Sequence, residues 1–532
     1  MLPVAILLAI ALTAGCTTPD QWRLWQPGAR AAPAPDRSAT VAIPANLQPR
    51  LAQPPTGITP TDGPLALSVE QAAMMALTNN RDLRVQQFAP VIAGTFEQIE
   101  RGGYDPEAFA SLTFDRERTS ETSRSTGGLF DVDGREAEAA VGIRQQLPSG
   151  TSLEVTLDNA RSISNRAPEQ QSARLGLSVT QALLRGYGPA VNLISVRRAE
   201  LDTTASIHEL RGFTEAVLGE TEIAYWNYVL ARERIAIFES SLALSRQQMH
   251  EIEKRIEVGL LPEAEAAAAH AQAAVQEQAL IDARSQLEAR RLRLLRLVDP
   301  DPEGALDHAV VASSDPRIDP EPIRDLQDRL RLAAQSRADL AEARLRLEQQ
   351  RLDIVLTRDG LLPKLELFLT LGKTGYADAF AGAFEDMDGE TYDAAVGLRL
   401  TRSLGRRAAQ ARDLAARATR SQALQALANL QQIVRLDVRL AVNELERTRQ
   451  QISASRATRR FQEQTLAAEQ QRFDVGVSTS LLVAQAQRDL LASRIAEIEA
   501  VGAYRIALVR LYLAEGSLLA RRGVVMAQGG MK

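Results

Sequence analysis

The chain is poor in aromatic residues, which make up 4% of its 532 positions, and it contains a single cysteine, Cys16. A lone cysteine cannot form a disulfide within one chain. Alanine, leucine, arginine, glutamate and glutamine dominate whole stretches instead. This bias favours long helices over a compact core of mixed helices and strands.

The sequence also lacks a strong charge of one sign and long apolar runs. The formal net charge is -5, acidic and basic residues are interspersed, and no basic run stands out, so nothing favours nucleic acid as a partner. No segment reaches the roughly 18 consecutive apolar residues that a membrane-crossing helix needs. If the protein crosses a membrane, the sequence predicts that it does so as a closed barrel.

Residue patterns typical of enzymes are missing as well. The four histidines, His208, His250, His270 and His308, are far apart, and none has the spacing of a metal site. The sequence has no glycine-rich phosphate loop and no nucleophile motif. We therefore expect no catalytic residues, no cofactor and no metal site.

The N-terminal segment has the pattern of a targeting signal. The apolar stretch from Leu2 to Ala14 is too short to span a bilayer but has the length of a signal-peptide core. It runs into Thr13-Ala14-Gly15-Cys16, which resembles the lipobox of bacterial lipoproteins, in which the cysteine is acylated. We interpret 1–15 as a lipoprotein signal peptide and 16–66 as a lipidated, extended tether. The alternative is a cleaved signal peptide with an incidental cysteine.

Ordered sequence begins near Leu67, with Ser68 as the cap of a first helix. From there the chain repeats itself, because three pairs of segments align without gaps and in the same order: 101–113 with 358–370, 176–180 with 397–401, and 258–260 with 475–477. This predicts a first repeat over 67–300, a linker over 301–321, a second repeat over 322–520 and a tail over 521–532. The first repeat is longer, and its surplus around Pro148-Ser149-Gly150 indicates an extra hairpin.

Each repeat has the order short helix, alternating strands, long helical hairpin. Pro106 and Pro363 end the first helix of each repeat, and alternating stretches such as 365–372 follow. One apolar and one polar face suits a barrel between lipid and water, but also a soluble sheet packed on one side.

The helical stretches are long and have a sevenfold apolar repeat. No proline interrupts 201–258, and a helix of about 57 residues extends roughly 85 Å. Apolar residues every seven positions drive neighbouring helices to wind around each other. They are Ile235, Leu242, Met249 and Ile256 in the first repeat and Val438, Leu445, Ile452, Leu466 and Phe473 in the second, with Arg459 as the exception.

Several motifs occur in a fixed order along these repeats: Leu183–Gly188, Ala224–Trp226, the glycine turns at 258–260 and 475–477, Tyr504–Leu508 and Gly516–Leu518. With them, the sequence over about 65–520 resembles the TolC-like outer membrane efflux family. The resemblance implies a mainly α fold with a membrane β part. Tandem-duplicated long α-helical hairpins would form an α-barrel of coiled-coil type, and each chain would add four β-strands to a trimeric 12-stranded outer-membrane β-barrel.

The extra hairpin complicates the assignment of those four strands. We expect them at Asp105–Arg118, Ala173–Leu184, Pro363–Gly372 and Tyr392–Leu404, with Thr151–Asn159 in a longer loop outside the cell.

The resemblance further implies a lipid-anchored homotrimer in the outer membrane that extends into the periplasm. Such a trimer is a passive conduit in a tripartite efflux system, so its partners would be outer-membrane lipid, a periplasmic adaptor and an inner-membrane transporter. The adaptor would dock on the hairpin turns Val258, Gly259, Leu260, Val475, Gly476 and Val477. The alternative for these residues is a pair of simple turns without a partner.

The same end forms the family's gate, commonly with aspartate rings just past the second turn. Here Leu482 and Gln485 stand at those positions, whereas Glu265 matches the acidic position of the first repeat and Glu263 lies nearby. A threefold ring of carboxylates would attract cations, and Leu482 could close the passage by dewetting. The alternative is that these glutamates only favour the dipole at a helix start.

Two other functions fit the sequence. One is a conduit for polypeptides in a type I secretion system, which no residue distinguishes from small-molecule efflux. The other is a periplasmic coiled-coil lipoprotein that acts as a spacer without a pore. Two strand sets paired with two helical hairpins favour a pore over a spacer.

Overall fold

The structure is a computed structural model that describes residues 47, 48, 50, 51, 64–122, 125, 127–166, 168–298, 306–323 and 325–526. The predicted signal peptide, Cys16 and most of the predicted tether lie outside the described residues. The described strands are, in chain order, β1 Arg50–Leu51, β2 Leu65–Leu67, β3 Glu107–Thr122, β4 Leu129–Gln146, β5 Thr151–Ser164, β6 Gln170–Ala182, β7 Val310–Ala312, β8 Lys364–Ala377, β9 Tyr392–Thr401 and β10 Val524–Val525.

Helices make up most of the described chain. In chain order they are α1 Val69–Asn79, α2 Arg81–Gln86, α3 Phe88–Gly102, α4 Pro189–Asn192, α5 Ile194–Glu257, α6 Ala264–Val298, α7 Leu326–Ser336, α8 Ala338–Asp359, α9 Phe380–Glu385, α10 Arg407–Asp474, α11 Ser480–Glu515 and α12 Leu518–Arg521. Among the helices that the structure describes, none has an apolar stretch long enough for a bilayer crossing.

The predicted helix boundaries before the strands are confirmed. The Ser68 side chain accepts the backbone N–H of Gln71, and the Gln71 side chain accepts the N–H of Ser68, so α1 begins with a complete capping box. The helices α3 and α8 end at Gly102 and Asp359, just before Pro106 and Pro363. Local sequence signals therefore fix where each strand set begins.

Two long helical hairpins follow the strands, α5 with α6 and α10 with α11. The first helix of each has 64 and 68 residues, which corresponds to about 96 Å and about 102 Å. Most of the predicted sevenfold positions of α10 are buried: Val438, Leu445, Ile452 and Leu466. Arg459, the exception in that series, pairs instead with Glu497 on the returning helix α11.

The first hairpin is also tied to β2 and to the linker. β2 pairs in parallel with β7, so that Leu65 faces Val310. The Tyr225 hydroxyl on α5 donates to the Leu67 carbonyl at 2.9 Å, and the neighbouring Tyr228 hydroxyl donates to the Val310 carbonyl. The motif Ala224–Trp226 therefore packs the long helix against the chain segments that precede both repeats.

The sheet corrects the predicted strand count. Six strands, not four, form one antiparallel sheet in the order β3-β4-β5-β6-β8-β9. Thr151–Asn159, which we expected in an outer loop, lies inside β5, and β5 pairs along its length with β4 and β6. The extra hairpin of the first repeat thus lies within the sheet, where its strands separate β3 from β6.

Candidate functional site: the helix-hairpin turns and the strand sheet

The two helix-hairpin turns have the same backbone geometry. Gly259 and Gly476 have φ angles of 78° and 76°, a region that residues with a Cβ rarely adopt. In each turn the glycine N–H and the following N–H return to carbonyls of the preceding helix: Gly259 to Ile256 and Leu260 to Arg255, Gly476 to Phe473 and Val477 to Arg472. These paired bonds close the helix end and reverse the chain.

Both turns present aliphatic side chains to solvent. Val258 and Leu260 are 68% and 74% exposed, and Val475 and Val477 are 74% and 78% exposed. Isolated exposed apolar residues are ordinary, but four of them on two matched turns form a concentrated apolar surface. We call these four residues the turn surface.

Contacts between the repeats hold the two turns side by side. The Arg255 guanidinium lies 3.0 Å from an oxygen of Asp474 and 4.9 Å from the ring centroid of Phe473. The Ser480 hydroxyl at the start of α11 donates to the carboxylate of Glu265 at the start of α6. Sequence reasoning missed Arg255 and Asp474, because each fits a helix end by itself and only the fold brings them together.

The structure places the four predicted gate residues at this same end. Glu265 is half-buried and bonded to Ser480 of the other hairpin, whereas Glu263, Leu482 and Gln485 are exposed. No group of His, Cys, Asp or Glu suited to a metal ion occurs among the described residues. Glu265 is thus the predicted gate residue that connects the two repeats.

The six-stranded sheet has one apolar face. One row of facing residues crosses every strand and is apolar throughout: Ala108, Ile143, Val155, Leu177, Leu371 and Ala394. Large aliphatic and aromatic side chains of this face are exposed, among them Leu112 at 66% and Val396 at 73%. A soluble sheet would bury such a face against a second layer. We call this side of the sheet the apolar face.

The opposite side, which we call the polar face, has ionic contacts between strands. Arg144 on β4 contacts Glu107 on β3 at 2.9 Å. Arg174 on β6 contacts Asp393 on β9 at 2.8 Å and lies 4.0 Å from Asp158 on β5. Polar residues on one face and apolar residues on the other are the arrangement of a strand wall between water and lipid.

Comparison with known proteins finds a match to one family model over part of the sequence and solved structures of the same fold over most of it. The sequence profile of the outer membrane efflux protein family matches residues 330–517. A solved membrane protein from Pseudomonas aeruginosa is 22% identical with a TM-score of 0.63, and the match covers 84% of this chain and 93% of that protein. The resemblance to the TolC-like outer membrane efflux family is thereby confirmed.

Two further TolC-like structures have the same fold. The CmeC outer membrane channel of Campylobacter jejuni is 16% identical with a TM-score of 0.62, over 84% of this chain and 85% of CmeC. The open-state MtrE outer membrane channel of Neisseria gonorrhoeae is 18% identical with a TM-score of 0.59, over 85% of this chain and 89% of MtrE. No curated protein matches this chain significantly. The family is one of transport proteins rather than enzymes.

Proposed function

We propose that this protein is the outer-membrane channel of a tripartite efflux or export system. It is a passive conduit from the periplasm to the exterior, opened by a periplasmic adaptor and driven by an inner-membrane pump. The observation that carries the proposal is one chain with two matched parts: a sheet with an exposed apolar face and a charged face, and two helical hairpins, each with a helix of more than 60 residues. The family match over residues 330–517 supports it.

The channel is a homotrimer in this proposal. The strands β3 and β9 form the two edges of the sheet, and among the described residues each has a partner strand on one side only. Open edges with exposed apolar residues are unfavourable in lipid, because unpaired backbone groups find no water there. Pairing β9 of one copy with β3 of the next satisfies both edges. The alternation of strand directions along the sheet makes this junction antiparallel, like all junctions within the sheet.

The adaptor docks on the turn surface. Its four exposed aliphatic residues, Val258, Leu260, Val475 and Val477, offer apolar area that a helical hairpin of the adaptor can cover. The contact between Arg255 and Asp474 keeps both turns available to one partner. Because the turn surface belongs to both hairpins, an adaptor that covers it influences how the two hairpins are positioned.

The gate lies next to the docking surface. Three copies of Glu265 form a ring of carboxylates at the periplasmic mouth, where they attract cations, and Leu482 narrows the same opening. Because Glu265 accepts a hydrogen bond from Ser480, movement of one hairpin against the other shifts the carboxylate. Docking at the turns therefore acts directly on the gate.

The N terminus anchors the channel in this proposal. Residues 1–15 are removed and Cys16 is acylated, which holds the chain at the outer membrane through 16–66. Mass spectrometry of the purified protein tests this step. A lipid-modified N-terminal peptide beginning at Cys16 is expected, whereas an unmodified thiol at this position would contradict the anchor.

Conductance in a planar lipid bilayer tests the function. The purified full-length protein is expected to give discrete conductance steps, and chemical cross-linking of the same sample is expected to yield trimers. A Glu265→Gln variant is expected to conduct with reduced preference for cations over anions, because a ring of negative charge is removed. Folded protein that inserts no conducting unit, and that cross-links only as monomers, would support the spacer interpretation and reject the channel.

A further inference from the structure

The extra hairpin of the first repeat lies between β3 and β6 in the strand order of the sheet. This hairpin, formed by β4 and β5 over 129–164, is called the inserted hairpin below. We propose that the inserted hairpin lies in the membrane as part of the channel wall. Each copy then contributes six strands, and three copies close a barrel of eighteen strands rather than twelve. This inference rests on the proposed function, since it concerns the wall of that channel.

Backbone pairing places the inserted hairpin inside the sheet rather than beyond it. Glu107–Thr122 of β3 pairs with Arg144–Leu129 of β4, and Ser162–Thr151 of β5 pairs with Gln170–Gln181 of β6. An extracellular extension would leave β3 and β6 paired with each other at membrane height. Here they are separated by both strands of the hairpin, so removing the hairpin from the membrane would leave an edge open on each side.

The pattern of side chains leads to the same conclusion. Ile143 and Val155 belong to the apolar row that begins at Ala108 in β3 and ends at Ala394 in β9. On this face of β4, Ala137, Ala139, Val141 and Ile143 occur at alternate positions without a charge. Six residue steps at about 3.4 Å span about 20 Å, comparable to the apolar band of a membrane strand.

Charges mark where the apolar face stops. Arg116 and Arg135 face each other on β3 and β4 directly beyond the apolar positions. Farther out, Arg116 contacts Asp133 at 3.3 Å and Arg118 contacts Asp131 at 2.9 Å. This boundary runs at the same height across β3 and β4, and on β5 it lies closer to the helices, at Asn159 and Arg161, which face Ala139 and Ala137. The occupant of the apolar face is therefore lipid acyl chains, and it covers both kinds of strand.

At the opposite end, the hairpin is fastened to the start of the helices. The turn between β4 and β5 contains Gly150, whose carbonyl accepts the Ala182 N–H at 3.0 Å. The Asn192 side-chain amide donates to the carbonyls of Pro148 and Gly186 at 3.0 and 2.9 Å. The turn is thus held at the junction between strands and helices, which fixes the hairpin at the height of the neighbouring strands.

The polar face of the hairpin widens a charged channel. Its side chains include Glu136, Glu138, Glu154 and Asp158 against one arginine, Arg144. The diameter of a barrel grows roughly linearly with the number of strands. The two added strands of each copy therefore enlarge the channel at the outer membrane and make its wall more acidic.

Fluorescence quenching by lipid tests this assignment. Single cysteines are introduced into the full-length protein by Val141→Cys on the apolar face of the hairpin, Val396→Cys on the same face of β9, and Glu138→Cys on the polar face of the hairpin. An Asp388→Cys variant between β8 and β9 serves as the water-exposed control. Each variant is labelled with bimane and reconstituted into phosphatidylcholine vesicles with brominated acyl chains. Unsubstituted protein treated alike corrects for any label at Cys16.

The expected result is strong quenching at positions 141 and 396 alike, and little quenching at positions 138 and 388. Quenching at 396 without quenching at 141 would overturn the inference and leave the channel intact. Absence of quenching at both 141 and 396 would reject the membrane sheet itself and with it the proposed function. Chemical cross-linking of the same vesicles counts the copies, and three copies with quenching at both sites give eighteen strands.

Discussion

Arg174 on β6 contacts Asp393 on β9 across the full width of the intervening strand β8, with 2.8 Å between guanidinium nitrogen and carboxylate oxygen. Gly372 of β8 lies directly beneath this contact. A Cβ atom at position 372 would lie 2.7 Å from a nitrogen of Arg174 and would overlap the Asp393 carboxylate. The missing side chain is therefore what lets a charge pair span three strands on the polar face.

Replacing this glycine is expected to weaken the sheet. Gly372→Ala pushes the ends of the Arg174 and Asp393 side chains apart, so their contact is lost and a small decrease in the midpoint of thermal unfolding is expected. Gly134→Ala on the same face is the matched control, because among the described residues its Cβ would meet the Ser164 side chain alone, at 3.9 Å. The measurement is the midpoint of thermal unfolding in detergent. Equal midpoints for both variants would show that the contact does not depend on the glycine.

Substitution of the turn glycines is expected to destabilise the protein for a different reason. At Gly259 and Gly476 no heavy atom of the described part of the chain lies within 4 Å of an added Cβ, so the positive φ is what opposes a side chain there. Gly259→Ala and Gly476→Ala are each expected to cost roughly 1–2 kcal/mol of unfolding free energy. Gly405→Ala, which also has open space but no positive φ, is expected to be neutral. Calorimetry of the three variants compares them. If Gly259→Ala and Gly476→Ala lose as little unfolding free energy as Gly405→Ala, the positive φ does not strain a side chain at these turns.

The link between Arg255 and Asp474 is expected to control channel opening more than stability. Exposed ion pairs contribute about 0.2–1 kcal/mol, so Asp474→Ala barely changes the unfolding midpoint. It does remove one of the contacts that join the two turns, and a higher open probability is expected in planar bilayers. The exchange Arg255→Asp with Asp474→Arg is expected to restore closure.

The control for this experiment is Glu444→Ala, which removes an ion pair with Arg447 inside α10. An open probability raised equally by this control would show that the effect is not specific to the contact between the repeats.

Stability should depend on pH through a buried carboxyl group on α5. Burial raises the pKa of Glu215, although its carboxylate accepts the N–H of Leu518 at 2.8 Å. Between the unfolded and folded pKa values the folded state binds more protons, so stability falls as pH rises through this window. Glu215→Gln keeps an acceptor for Leu518 and removes the charge. Its gain in unfolding midpoint over the wild type is therefore expected to be larger at pH 8 than at pH 4.5.

A second carboxyl group is expected to change stability with pH in the opposite direction. Hydrogen bonds from Arg449 and Gln450 lower the pKa of Glu446 to about 2. Its contribution to stability is present above the unfolded pKa and is lost as pH falls through the folded value. Glu446→Gln is therefore expected to lower the midpoint at pH 7 and to have little effect at pH 2. The same pH trend for both variants would contradict the two assignments.

Features set by neighbouring residues could be predicted from the sequence. The Ser68 cap, the helix ends before Pro106 and Pro363, and the sevenfold series from Val438 to Leu466 all depend on residues within one or two turns of each other. Such patterns predict type and position of elements because each signal is local. The paired turns at Gly259 and Gly476 belong to the same class, since positive φ has a residue signature of its own.

The inserted hairpin could not be assigned in this way. In β4 the apolar alternation extends only from Ala137 to Ile143, and charged residues from Asp131 to Arg135 precede it. This short signal is compatible with a loop as well as with a wall strand. The pairing of β4 with β3 and of β5 with β6 is what distinguishes a wall strand from a loop here. The contact between Arg255 and Asp474 was missed for a related reason, because it joins residues from different repeats.

Copies of this chain are expected to close a channel wall by pairing their sheet edges. Cryo-electron microscopy of the full-length protein in lipid nanodiscs tests it most directly. We expect three copies around one continuous passage, with β9 of each copy hydrogen-bonded to β3 of the next and the apolar face toward lipid. Single copies whose apolar face is covered by their own helices, with both sheet edges unpaired, would contradict it.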